Sequence, residues 1–411
     1  MSFDKLIDGI LSSASAGCGK GFNTRVATVL KSNEAALKES WKNIPPKDLT
    51  STDRHNLTLD FKFEVIRGVV SEYLTGNDYD SFLVTVGELC IKSLEFERGV
   101  TVLNEVKSRK VTKTNKEIIG TARRALGEVY AKQAEWESAL TEFKAAYKLL
   151  KDSADTAALA LTQNTLGILY AETGKFKLAL ESFRGAKRYA TRNGDRELLL
   201  KVFMNLGNIH NIRGEHTKAI ESYQAALKSL GRVVNDPLRA LIHHNLGIAY
   251  KNLGRLGAAE KKLEEGLKYS ERAGDERIAG LSYLERAEIM HRKGEIDNSV
   301  VSATRAFKIF SNINDRLGVA EVYKLMGMNY VSYGNYDLAE VYLGNSLRIN
   351  ERHDNALNMG ETYIEIARLQ KEKNDTDAAM NAYTKAVSCF TTLEAKTKIS
   401  EVTKEMDAVN A

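Results

Sequence analysis

The chain has 411 residues, 43% hydrophobic and 27% charged, with only three prolines and a modest net charge of +5. That composition suits a nearly all-helical protein, and the lack of any run of about 18 apolar residues excludes a membrane-spanning helix. Cys18, Cys90 and Cys389 are few, odd in number and far apart. They argue against a disulfide framework and for a reducing, cytoplasmic location.

Met1 to Leu11 carries Asp4 and Asp8 and lacks the basic start and long apolar stretch of a signal peptide. Residues 2–12 and 24–42 read as amphipathic helices, the second through Val26, Val29, Leu30, Ala36, Leu37 and Trp41, and "NIPPKD" (Asn43–Asp48) ends it because consecutive prolines bar continuation. Between them, "SAGCGKGF" (Ser15–Phe22) has the glycine and lysine content of a phosphate loop. Ala14 stands where the first required glycine belongs, Gly21 stands where Ser or Thr should follow Lys20, and a helix precedes instead of a strand. A loop is expected there. A third helix at about Leu57–Leu74, with Phe61, Phe63, Val65, Ile66, Val69 and Tyr73, is expected to pack as a cap on the first helical unit after it.

From Gly87 onward the sequence repeats. Steps of 40 residues connect Gly87, Gly127, Gly167, Gly207, Gly247, Ala287, Gly327 and Ala367 without a slip. Seven residues beyond the small position lie Gly174, Gly214, Gly254, Gly294 and Gly334, with Ala134 and Asn374 as variants. A second small position (Ala139, Ala179, Ala219, Ala259) precedes a large one by four (Phe143, Phe183, Tyr223, Leu263), and a third small set closes the unit. This order describes two helices joined by a tight turn, with small residues permitting close approach. A glycine in mid-helix costs about 1 kcal/mol in propensity, so Gly167 must gain something in packing. Each unit is too small to bury its own apolar stripe, so neighbours must stack into a solenoid. Asp155, Asp195, Asn235, Asp275, Asp315 and Asn355 fall at one phase between units and are expected to cap the next first helix.

The pattern L-G-x-x-Y, then A-x-x-x-F-x-x-A, carried here by "LGILY" and "ALESFRGA" (Leu166–Tyr170, Ala179–Ala186), resembles the tetratricopeptide repeat. Its 40-residue spacing is similar to that of the Pins/LGN polarity adaptors and rapsyn-type scaffolds. The resemblance implies an all-α fold, an α-solenoid wound as a right-handed superhelix of antiparallel helix pairs. The expected organisation is an N-terminal helical region over residues 1–78, a degenerate unit over 79–119, seven 40-residue units over 120–392 and a capping helix over 393–411, where Ile399, Val402, Met406 and Val409 form an apolar stripe.

In the family, exposed positions of each first helix line a concave groove. Carried onto the two middle units, these are Met204, Asn205, Asn208 and Asn211, then His244, Asn245, Ile248 and Lys251. Asparagine both donates and accepts, so it can pair with the main chain of an extended peptide whatever its side chains; asparagine also suits a plain solvated face. The carboxylate clamp of chaperone-binding relatives is not expected, because the third unit offers Leu281 and Glu285 in place of basic residues. Glu285, Glu288, Glu321, Glu361 and Glu365 make the later groove acidic, while Arg124, Lys201 and Lys251 make the earlier part basic, a distribution suited to a bipolar ligand segment.

Little else proposes chemistry. Residues 120–250 hold 19 lysines and arginines against 13 acids, with local patches at Lys107–Lys116 and at Arg184, Lys187, Arg188 and Arg192. These read as solvated faces, without the aromatic interleaving of nucleic-acid binders. His243 and His244 are adjacent and point about 100° apart on a helix, so they cannot chelate one ion. No catalytic set, metal or cofactor is expected. The sequence reads as a non-enzymatic interaction scaffold that binds a protein or peptide segment in its groove, with a fixed structural subunit of a large cytoskeletal or ciliary assembly as the alternative. Oligomeric state is left open.

Overall fold

A computed structural model describes residues 3–19, 21–42, 51–152, 156–231, 233–393 and 395–410, with the side chains of residues 3–4, 35–42, 51–56, 396–397 and 409–410 set aside. Asp155, Lys20, the two prolines of "NIPPKD", and the side chains of Ala36, Leu37, Trp41 and Val409 therefore lie outside the described residues. Within them the chain forms twenty helices and no strand.

Three helices come first, α1 (Phe3–Cys18), α2 (Phe22–Lys42) and α3 (Ser51–Tyr73). Pairs succeed them: α4 and α5 (Gly76–Lys92, Phe96–Lys107), α6 and α7 (Lys116–Lys132, Trp136–Leu150), α8 and α9 (Thr156–Glu172, Phe176–Asn193), then α10 and α11 (Arg196–Ile212, His216–Leu230). The series continues with α12 and α13 (Asp236–Asn252, Leu256–Ala273), α14 and α15 (Glu276–Arg292, Ile296–Asn312), α16 and α17 (Arg316–Ser332, Tyr336–Arg352), and α18 and α19 (Ala356–Glu372, Thr376–Thr392), and ends with α20 (Lys396–Asn410). First helices begin at Gly76, Lys116, Thr156 and so on to Lys396, each 40 residues after the last. The register therefore extends to α4 and to α20, which enters in the phase of a first helix.

Local chemistry sets these boundaries. The side chains of Asp195, Asn235, Asp275, Asp315 and Asn355 each accept a hydrogen bond from the backbone N–H three residues on, at 2.9–3.2 Å, a cap worth about 1 kcal/mol. The turn within each pair passes through the left-handed region, at Gly174 (φ 70°) and Gly254 (φ 78°), and the variants Ala134 (φ 61°) and Asn374 (φ 62°) adopt the same conformation. The small mid-helix position is filled by the pair's own second helix. A β-carbon on Gly127 would sit 2.6 Å from Phe143, and one on Gly247 would sit 2.6 Å from Leu263.

The expected loop over Ser15–Phe22 is shorter than the sequence suggests. Ser15 to Cys18 finish α1, Phe22 opens α2 fully buried, and the Ser15 hydroxyl donates to Asn23 across the turn at 2.7 Å. Burying Phe22 stabilises the tight connection in a way the glycine content of the segment does not reveal.

The chain divides into two compact units, residues 1–205 and 206–411. In the first, Leu6 and Ile10 of α1, Ile66 and Val70 of α3, Leu83 and Val86 of α4, and Leu103 and Val106 of α5 share one buried cluster that runs on to Leu126 of α6. The leading helices thus cover the apolar face that the first pair would otherwise expose. In the second unit, layers centred on Leu263, Phe310, Leu343 and Phe390 succeed one another, and Val402 of α20 closes the last.

Candidate interaction groove

In the second unit, α12 touches α14, α14 touches α16 and α16 touches α18, so the first helices form a close inner layer while the second helices stand farther apart. Residues 40 apart on successive first helices share one phase, so one stripe of each faces a single cavity. That cavity, of about 790 Å³, is walled by α14, α16, α18 and α20. Its floor is apolar, with Leu284, Leu325, Met328, Ile364 and Val402. Its rim is charged, seven glutamates against two lysines, two arginines and His291.

The charges form a relay. Lys251 Nζ lies 2.6 Å from both Glu285 and Glu288, and Glu288 continues to Arg292 at 2.5 Å. Lys324 lies 2.8 Å from Glu321 and 2.8 Å from Glu361, which also meets Lys398 at 3.2 Å. Arg368 joins Glu365 and Glu405, each at 2.7 Å. Burial alone would lower the Lys324 pKa, but Glu321 and Glu361 raise it above the ordinary lysine value. Burial raises the Glu285 and Glu365 carboxyls, against the pull of Lys251 and of Arg368 respectively. Compensation is incomplete, and Glu321 Oε1 is buried without a hydrogen-bond partner.

Of the eight residues expected to line the groove, Met204 and Asn205 belong to the first unit and the other six to the second. Met204 is buried, leaving little side chain for a ligand, and Asn205 Nδ2 donates to Asn164 Oδ1 at 3.2 Å. Asn208 is exposed, but its Oδ1 already accepts from the Tyr223 hydroxyl at 2.7 Å and from Asn245 Nδ2 at 3.4 Å. Asn211 Oδ1 pairs with the His216 ring at 3.0 Å and accepts from Asn252 at 3.4 Å. The asparagines therefore bond one repeat to the next, and only their remaining valences face outward. His244 is 5% exposed, its Nδ1 3.1 Å from the Ser282 hydroxyl, and burial with the nearby Lys251 charge pulls its pKa down to about 4. Ile248 is half-buried, and Lys251, 7% exposed, is the first member of the relay.

The sequence had marked Glu285, Glu288, Glu321, Glu361 and Glu365, and all five line the cavity. Arg124 and Lys251, counted as basic groove charges, are buried and paired, Arg124 with Glu88 and Glu128. Met328, Ile364, Arg368 and Glu405 were missed, although each occupies the phase of Ile248, His244, Ile248 and Asn245 respectively. Extending the same offsets beyond the middle units would have found them.

Residues 118–190 and 198–272 match one family model described as tetratricopeptide repeat, and residues 360–388 match a second of the same description. No curated protein matches the sequence. Among solved structures, the apo form of RapI superposes with a TM-score of 0.67 at 14% identity, covering 84% of this chain and 96% of that one. The apo form of the quorum sensor NprR from B. thuringiensis gives 0.66 at 14% identity over 88% and 99%. Aspartyl phosphate phosphatase F from Bacillus subtilis gives 0.58 at 14% over 79% and 88%. At these identities the likeness is one of fold.

Proposed function

We propose that this chain, a tetratricopeptide-repeat protein, is a non-catalytic interaction scaffold that receives a partner segment on the inner layer of its second unit. The observation that carries this reading is the cavity of about 790 Å³ built by four successive first-helix positions. An apolar floor under an acid-rich rim suits an extended segment that alternates apolar and basic side chains, the apolar ones supplying burial and the basic ones selectivity. Asn245 and Ile248 extend the same face toward α12, and Asn208 and Asn211 present their spare valences beyond it. The lining contains no serine, threonine or cysteine nucleophile, and most of its carboxylates are engaged by cations, which favours binding over catalysis. Among the described residues no helix is long and apolar enough to cross a membrane. The three cysteines are free thiols, which suits a reducing, cytoplasmic site of action.

Selection of a displayed random-peptide library against the full chain tests the reading. Recovered peptides should be rich in arginine or lysine interleaved with apolar residues, and should lose binding to the Met328→Arg, Ile364→Arg double variant, which fills and charges the floor. Peptides indifferent to that variant would refute groove binding.

A second reading, a fixed subunit of a large cytoskeletal or ciliary assembly, is favoured by exposed apolar side chains on second helices, Val301 on α15 and Leu338 and Val341 on α17. Peptides that compete with surface variants at these positions, but not with the floor variant, would favour it.

A further inference from the structure

The second helices carry a feature that the groove does not use. Three consecutive first helices, α14, α16 and α18, place a tyrosine at one phase: Tyr283, Tyr323 and Tyr363. Twenty-two residues later, on the second helix of the same pair, stand Arg305, Asn345 and Lys385. Arg305 lies over the Tyr283 ring, its guanidinium carbon 5.5 Å from the centroid, and Lys385 lies over the Tyr363 ring with Nζ at 5.6 Å. Each is a cation resting on the negative face of an aromatic ring.

In the middle repeat the cation is missing. Asn345 is too short to cover Tyr323, and its Oδ1 instead accepts from Arg348 at 2.8 Å. Among the described residues, no lysine or arginine replaces it over that ring, and a pocket of about 400 Å³ opens between α15 and α17. The rings of Phe307 and Tyr342 flank Tyr323, with centroids 5.5 and 5.8 Å away, and no charged side chain lines the space. At its mouth Leu338 and Val341 are exposed, Val341 at 56%. An apolar residue here would leave the ring quadrupole unused, whereas a long cationic side chain would match both parts: aliphatic stem on Leu338 and Val341, charge on Tyr323.

We propose that this outer pocket is a docking notch for a basic side chain, arginine or lysine, of a partner protein, which occupies over Tyr323 the place that Arg305 and Lys385 take in the adjacent repeats. The notch is independent of the groove. It lies on the second-helix side and needs none of the groove's residues, so either can fail without the other.

The test uses the full chain labelled with ¹³C at the methionine methyls, since Met326 lines the notch. The probes are N-acetyl-arginine N-methylamide and its uncharged counterpart of similar length, N-acetyl-norleucine N-methylamide. The arginine probe should shift the Met326 methyl and bind about 2- to 30-fold more tightly than the norleucine probe, the range a cation on an aromatic face provides. Asn345→Arg should abolish the response by supplying the missing cation from within. Val341→Glu, at an exposed position, should tighten the arginine probe and weaken norleucine. Equal or stronger binding of norleucine, a Met326 response that survives Asn345→Arg, or no response to either probe would each overturn the proposal.

Discussion

Gly167 lies directly against the ring of Phe183, so close that a β-carbon there would be 2.5 Å from Cε1 of the phenyl group. Close approach between the helices of a pair is therefore bound to the absence of one methyl group. Gly167→Ala should lower stability by about 1–3 kcal/mol through overpacking, despite a gain of about 1 kcal/mol in helix propensity. Gly344 sits in a helix with open space around it, and Gly344→Ala should raise stability by roughly 1 kcal/mol. Urea denaturation of both variants checks the opposite signs; two changes of the same sign would remove packing as the reason for the repeat glycine.

Ala134 takes the left-handed conformation that glycine holds in the neighbouring repeats, at φ 61°, with its side chain exposed. Ala134→Gly should stabilise the chain by about 1 kcal/mol, because relief of the steric cost of a β-carbon there exceeds the entropy that glycine adds to the unfolded chain. Thermal unfolding at fixed concentration measures it.

His244 has its pKa pulled down to about 4 by burial and by the Lys251 charge. The unfolded chain protonates it near 6.5 while the folded chain does not. Its contribution is therefore complete above pH 6.5 and is lost as pH falls toward 4, by roughly 3 kcal/mol at the lower end. Denaturation midpoints at pH 7.5 and 4.5 should differ less in His244→Gln than in the unaltered chain, since other titrating groups are common to both.

Lys251, itself buried, separates two half-buried carboxylates, Glu285 and Glu288, at 2.6 Å from each. Lys251→Met leaves them facing one another and should destabilise the chain, by less than the roughly 3–5 kcal/mol of a fully buried stranded charge because both carboxylates keep some solvent. The double variant Lys251→Met, Glu285→Leu should recover a large part of that loss, since Leu325 already occupies the equivalent phase of the next repeat. Chemical denaturation of the single and double variants tests the coupling, and a double variant no more stable than the single one would deny it.

The repeat was legible because its determinants are local: a small residue opposite a large one, a turn residue seven positions on, a capping side chain at the entries of α10, α12, α14, α16 and α18. Those signals survive substitution, as Ala287 shows. It shares one buried cluster with Ala303, where most other repeats set glycine against a large side chain, and both are fully buried. The groove was legible only in outline. Offsets placed Lys251 and His244 on the inner face, but a sequence does not show that Glu285 and Glu288 enclose the lysine or that Ser282 covers the imidazole. Nor does it show that Asn208 holds the buried Tyr223 hydroxyl at 2.7 Å, so Asn208→Ala would remove a structural acceptor along with any contact to a ligand. The His244–Ser282 and Lys251–Glu288 pairings join residues 38 and 37 apart across stacked repeats, whereas Asn208 and Tyr223, 15 apart, meet within one pair, and all are decided by side-chain reach.

The groove itself is tested most directly by the methyl resonance of Met328, which lies on its floor. Titrating the ¹³C-methyl-methionine-labelled chain with an octapeptide alternating arginine and leucine should shift Met328 saturably, with a weaker response as salt rises. The matching glutamate–leucine peptide should leave it in place, and Ile364→Arg should suppress the response. A Met328 resonance that stays fixed while the arginine–leucine peptide binds, or that moves equally with the glutamate–leucine peptide, would contradict an acid-rimmed groove for a basic and apolar segment.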